Sequence, residues 1–132
     1  MEIRSFRDLI VWQKAIVLAA EVGRIASRLP SSERLGLSLQ LRRAAVSVSS
    51  NIAEGAGRFD RGDYRRHVSI ARGSLAEVQS QLELAVEMGY LSRDDIAHAV
   101  ELSDEVERML SKLWRALKLS AAAKRARDAK SG

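Results

Sequence analysis

The sequence contains no cysteine, a single proline, and only two residues each of tryptophan, tyrosine and phenylalanine. Without cysteine, disulfides, thiolate metal sites and thiol nucleophiles are all excluded. One proline and eight glycines in 132 residues leave little room for a turn-rich β protein. Apolar runs are short, and none approaches the roughly 20 residues that span a bilayer. The opening MEIRSFRDLIVWQK interleaves charges with its apolar residues, so it does not read as a secretory signal. These absences predict a cytoplasmic protein with no membrane partner. At 14.6 kDa the chain has the size of one domain and can bury about two-thirds of its unfolded surface.

What is abundant is charge. Twenty-two Lys and Arg face 17 Asp and Glu, a net charge of +5 with pI ≈ 10.1. The excess is uneven. Arg42, Arg43, Arg58, Arg61, Arg65, Arg66 and Arg72 meet only Glu54, Asp60 and Asp63 in their stretch of chain. The end of the chain adds Lys124, Arg125, Arg127 and Lys130 against Asp128, whereas the segment between Arg93 and Lys118 is near neutral.

The apolar residues recur at helical spacing throughout. Val11, Ala15, Leu18, Val22, Ile25 and Leu29 alternate in steps of four and three, the pattern of a bundle seam. Ser5 is a candidate cap for that helix, with Asp8 at the third position, and Pro30 stops it. Ser31 or Ser32 with Glu33 predicts the second start. Asp60 predicts the third, with Phe59 and Tyr64 spaced as a hydrophobic staple. The third seam is Tyr64, Val68, Ala71, Leu75, Val78, Leu82 and Ala85, ending where Gly89 can take the left-handed conformation. Leu91, Ser92, Asp95 and Ile96 repeat the capping device, and Ile96, Ala99, Ser103, Val106, Leu110, Leu113 and Leu117 make the fourth seam. The expected fold is all-α, an antiparallel up-down-up-down four-helix bundle over residues 1–119. Residues 120–132 form a basic tail without a sustained apolar stripe, expected to fray and be disordered.

The second segment, Leu35–Arg58, differs from the others. Wound at about 100° per residue, it places Leu37, Leu41, Ala44, Ala45, Val48, Ile52 and Gly55 in one sector. Leu35, Leu39, Val46 and Ala53 fall nearly opposite, with a polar stripe of Gln40, Arg43, Ser47, Asn51, Glu54 and Arg58 between. A helix apolar on two sides is buried on two sides. In so short a chain another copy covers the second side most simply, so Leu35, Leu39, Val46 and Ala53 are the expected interface of a ring-like homo-oligomer.

Catalytic constellations are missing. Asp63 with His67, and Asp95 with His98, have usable ligand spacings, yet the two histidines start antiparallel helices and so lie at opposite ends. No metal site or cofactor is expected, and both histidines read as surface residues. Ser74 is two turns from His67, about 10 Å along the axis, too far for activation. Glu54 and Glu77 read as partners of Arg43, Arg58 or Arg72 across a helix contact rather than as an acid–base pair. The arginines suit phosphate, because the planar guanidinium donates two parallel bonds. With Phe59 and Tyr64 assigned to the staple, few aromatics accompany them, so backbone contact is expected ahead of base stacking.

Three stretches together, FRDLIVWQKA at Phe6–Ala15, LPSSERLGLSLQLRRAAVSVSSNIAEGAGR at Leu29–Arg58 and ARGSLAEVQSQLELAVEMGYL at Ala71–Leu91, resemble the four-helix-bundle family encoded in intervening sequences of bacterial 23S ribosomal RNA genes. The accessory variability determinants of diversity-generating retroelements are similar. The resemblance rests on the Asn51–Gly55 run NIAEG and on Gly73-Ser74-Leu-x-Glu77, and marks Asn51, Glu54, Gly55, Gly73, Ser74 and Glu77 as structural signature residues. It implies a homopentamer with a basic surface and no enzymatic activity. For the retroelement branch it also implies nucleic-acid binding and a reverse transcriptase partner.

The expected function is therefore that of a non-catalytic oligomer binding RNA or DNA backbone. The residues are Arg42, Arg43, Arg58, Arg61, Arg65, Arg66 and Arg72 together with Lys124, Arg125 and Arg127. The alternative is a protein-interaction adaptor, for example for a reverse transcriptase.

Overall fold

The computed structural model describes residues 5–131, without the side chains of 120–122 and 131. Among the described residues there are four α-helices: α1 (Ile10–Ser27), α2 (Leu37–Ala56), α3 (Arg61–Glu87) and α4 (Arg93–Ser131). Consecutive helices pack on one another and α4 closes back on α1, with no diagonal packing. The result is the up-down-up-down bundle that short connections between helices require. The periodic residues form its core. Leu18, Val22, Leu41, Val48, Ile52, Val68, Leu75, Val78, Leu82, Val106 and Leu110 are all inaccessible to solvent.

The helix starts show where local chemistry decides. Ser5 and Asp8 do form a reciprocal capping box, but it closes a three-residue 3-10 turn, Phe6–Asp8, and extended Leu9 separates that turn from α1. The second start shifts more. Ser31–Glu33 is again a 3-10 turn, and α2 begins only after Gly36, whose place a side chain would contest with the Glu33 carboxylate at 2.7 Å. That carboxylate instead accepts from the Leu37 N–H at 3.1 Å and from the Tyr90 hydroxyl at 2.9 Å, tying the start of α2 to the α3–α4 turn. Leu35 thus lies in the connection, not on α2. Asp60 caps α3 by accepting from the Asp63 N–H at 2.9 Å. Gly89 takes φ +77, and Ser92 and Asp95 exchange bonds at the start of α4 while Leu91 and Ile96 are buried.

Two sequence expectations fail here. Phe59 does not staple to Tyr64: Tyr64 packs on the core, while Phe59 stands fully in solvent at 106% relative exposure. Nor does the chain fray after Leu119, because α4 runs unbroken to Ser131. SAAAKRARDAK is built from strong helix formers with no glycine or proline to stop it, so lack of an apolar stripe ends the packing but not the helix. Residues 123–130 are exposed.

Helices α2 and α3 approach closely at Gly55. A Cβ at Gly55 would lie 2.9 Å from the Cβ of His67, 3.0 Å from Cδ1 of Tyr64 and 3.3 Å from the Tyr64 carbonyl oxygen. Glycine is normally about 1 kcal/mol worse than alanine inside a helix, so the sign of Gly55→Ala is informative. We expect it to destabilise by about 1 to 3 kcal/mol through overpacking. Gly23→Ala, in open space on α1, should stabilise by up to about 1 kcal/mol. Urea unfolding checks both, and a stabilised Gly55→Ala would refute the close approach. Leu75→Ala, mid-seam, should cost about 2 to 5 kcal/mol in the same assay.

The α4 start also fixes a pH dependence. The Ser92 backbone N–H first, then the Arg28 guanidinium and the Ser92 hydroxyl, hold the Asp95 carboxyl below its ordinary range. A depressed folded value means that this stabilisation is complete above the ordinary carboxylate range and is lost as pH falls through the folded value. Asp95→Asn should flatten that part of the acid limb in unfolding curves taken below about pH 5. An acid limb identical to wild type would remove Asp95 as a contributor.

Candidate nucleic-acid interface

Ser47 and Asn51, in the middle of the polar stripe of α2, bond across to α3. The Asn51 side-chain amide donates to the Ser47 carbonyl at 2.9 Å and to Ser47 Oγ at 3.1 Å. Ser47 Oγ meets Ser74 Oγ at 2.7 Å. With its N–H groups so engaged, Asn51 turns Oδ1 to His67 Nδ1 at 3.1 Å, which makes Nδ1 the protonated nitrogen. His67 Nε2 then accepts from the Arg66 guanidinium at 3.3 Å. His67 is 5% exposed and Ser74 is buried, so His67 is a satisfied interior group and not the surface residue its sequence position suggests. Burial against the same contact pushes the Tyr64 phenol up. Among the signature residues, Asn51, Gly55 and Ser74 belong to this contact. Glu54 pairs with Arg58 of the following connection at 2.7 Å. Gly73 and Glu77 are exposed, and among the described residues Glu77 has no ion-pair partner. The expected Glu77–arginine pair is therefore not formed. Arg72 reaches across to Glu107 of α4 at 3.2 Å instead.

The arginines do not make one cluster. Arg42 and Arg43 start α2, at the opposite end of the bundle from the start of α3, and Arg42 donates to Ser27 Oγ at 2.9 Å. Arg58, Arg66 and Arg72 are held in ion pairs, the first two with Asp63 at 3.5 and 3.1 Å. Arg61 and Arg65 remain. They line an open cleft of about 380 Å³ together with Phe59, Asp60 and Gly62 on one side and Lys124, Arg125 and Asp128 on the other. The extension of α4 thus runs past the start of α3 and adds its cations to those of α3. Four bases face two acids there, and Asp60 is already committed to its cap. Arg127 is on the same extension and exposed.

Sequence reasoning supplied both basic segments but not their meeting. The signal was available in the register. Leu117 lies as far after Gly89 as Arg61 lies before it, so any helical continuation of α4 must pass the α2–α3 connection.

The expected interface residues have mixed surroundings. Leu35 is 78% and Val46 56% exposed, while Leu39 and Ala53 are half-buried. Leu39, Val46 and Ala53 share the outer side of α2, where Val46 and Ser47 with Arg42 and Arg43 line a shallow depression.

With this geometry in hand, comparison with known proteins is decisive for family. The profile of the 23S rRNA-intervening sequence proteins matches residues 7–112. The chain belongs to that family. Its fold is also that of a solved structure: a crystal structure of a protein of unknown function from the S23 ribosomal protein family of Bacteroides thetaiotaomicron has a TM-score of 0.74 at 23% identity. That match covers 80% of this chain and 98% of the other. No curated protein matches significantly. Lys124, Arg125 and Asp128 lie beyond residues 7–112, so one wall of the cleft is outside the part that defines this chain as a 23S rRNA-intervening sequence protein. Among the described residues there is no group of His, Asp and Glu fit to hold a metal, and no helix is long and apolar enough to cross a membrane.

The polar chain makes a direct prediction. Asn51→Leu keeps the volume but leaves the buried Nδ1–H of His67 without an acceptor, a loss of about 1 to 3 kcal/mol measurable by urea unfolding. A variant as stable as wild type would show that the chain of hydrogen bonds is dispensable.

Proposed function

We propose that this protein is a non-catalytic, self-associating four-helix bundle that binds RNA or DNA through phosphates held in the cleft between the start of α3 and the extension of α4. One observation carries the reading: Arg61, Arg65, Lys124 and Arg125 converge from two helices on one open cleft with a surplus of positive charge. Guanidinium groups not consumed by ion pairs are the side chains best suited to phosphate oxygens. Self-association rests on Leu35 and Val46, large apolar side chains left in solvent beside half-buried Leu39 and Ala53. Five copies in a ring is the arrangement that family resemblance favours. Repetition of the cleft around such an assembly would raise affinity through effective concentration.

The structure changes which arginines should be tested. Arg66 is tied to Asp63 and His67, so reversing it would disturb α3. Arg61→Glu with Arg65→Glu instead alters the cleft and leaves the core untouched. We expect wild type to bind labelled RNA and DNA at about 50 mM salt with an affinity that falls at about 0.7 to 0.9 log units per log salt for each phosphate contact. The double variant should bind more weakly to every sequence and with a shallower slope. No binding at low salt, or full binding by the double variant, would shift the reading to an adaptor whose partner, such as a reverse transcriptase, presents an acidic surface. For assembly, light scattering should give a multiple of 14.6 kDa. Val46→Asp should lower that mass, since an unpaired carboxylate in an apolar contact costs several kcal/mol, roughly 2 to 7 even for a neutral polar group. A wild-type monomer would refute self-association.

A further inference from the structure

Five of the six aromatic side chains have a place within the fold. Phe6 stacks edge-on against Trp12 with ring centroids 5.0 Å apart. Trp114 packs on the core and donates its indole N–H to Ser69 Oγ at 2.9 Å. Tyr64 and Tyr90 pack on the core, and the Tyr90 hydroxyl donates to Glu33. Phe59 has none of this. It is fully exposed and lines the cleft that carries Arg61, Arg65, Lys124 and Arg125. Nor does it hang from a loose loop. The Arg58 N–H donates to the Gly55 carbonyl at 3.0 Å on one side, and on the other the Tyr64 N–H donates to the Asp60 carbonyl at 3.0 Å. An open aromatic face beside cations is the composition of a stacking platform.

We propose that Phe59 stacks on an unpaired base whose flanking phosphates lie on Arg61, Arg65, Lys124 and Arg125, so that the cleft takes single-stranded RNA or DNA in preference to duplex. This rests on the nucleic-acid reading of the same cleft and specifies it. In a duplex the bases are already stacked on one another, and their faces are closed to Phe59. A single strand offers the same phosphates with the base faces free. Because a base of any identity has a π-face, the preference is for unpaired strands, not for a sequence.

The test uses fluorescence polarisation at about 50 mM salt, where phosphate contacts are strong, with labelled single-stranded RNA and DNA 12-mers and the matching duplexes. The proteins are wild type, Phe59→Ala, Phe59→Trp and the Arg61→Glu, Arg65→Glu double variant. Wild type should bind the single strands more tightly than the duplexes. Phe59→Ala should bind single strands about five- to a hundredfold more weakly and duplex unchanged. Phe59→Trp should restore single-strand affinity, and its added emission should be quenched as strand is titrated in. If Phe59→Ala binds single strands like wild type while the double variant loses them, the cleft binds phosphate and the stacking proposal is wrong. If wild type prefers duplex, the proposal is likewise overturned. If wild type binds no probe, both it and the nucleic-acid reading fall together.

Discussion

The contact on which the rest of the structure depends is the close approach of α2 to α3 at Gly55. With no Cβ at that position, the first turn of α3 settles directly on the last turn of α2, with Tyr64 and His67 against the glycine. Polar groups buried between the two helices need hydrogen-bond partners. The run Ser74, Ser47, Asn51, His67, Arg66 supplies them in order. One small residue and one continuous set of hydrogen bonds thereby fix both the separation and the register of the two helices.

That register has a consequence at the end of the bundle. Because α3 begins at a fixed depth beside α2, the connection that carries Arg58, Phe59 and Asp60 is short and held at both sides. The start of α3 presents Arg61 and Arg65 toward the path of α4, and α4, which meets nothing to stop it, runs past them with Lys124 and Arg125. The bundle core and the cleft are thus products of different parts of the chain. Apart from Leu117, the buried core lies within the span shared with the family, 7–112, whereas the far wall of the cleft lies outside it.

Much of the bundle was legible in the sequence because burial leaves a periodic trace. Every member of the third seam from Val68 to Ala85 is buried, as its spacing predicts, and Gly89, Ser92 and Asp60 act at the ends they mark. Features that depend on a distance between helices were not legible. His67 reads as a surface residue because it is off the apolar seam; only the approach permitted by Gly55 encloses it. Phe59 has the spacing of a staple with Tyr64, but the spacing does not say that Tyr64 turns to the core and leaves its partner behind. The arginines were legible as charge and not as a site, since adjacency in sequence spreads Arg42 and Arg66 to opposite ends of the molecule while the fold joins Arg65 to Lys124. The extension of α4 shows the same limit from the other side: apolar periodicity marks where a helix packs, and helix propensity decides where it ends.

The central claim is that the chemistry of this chain sits where the α2–α3 connection meets the extension of α4. Photo-crosslinking of the wild-type protein to 4-thiouridine-containing single-stranded RNA at low salt, with the crosslinked peptides identified by mass spectrometry, tests it most directly. The account predicts crosslinks confined to two segments far apart in sequence, 58–65 and 123–130. Crosslinks centred instead on Arg42 and Arg43 at the start of α2, or spread over the surface without preference, would contradict it.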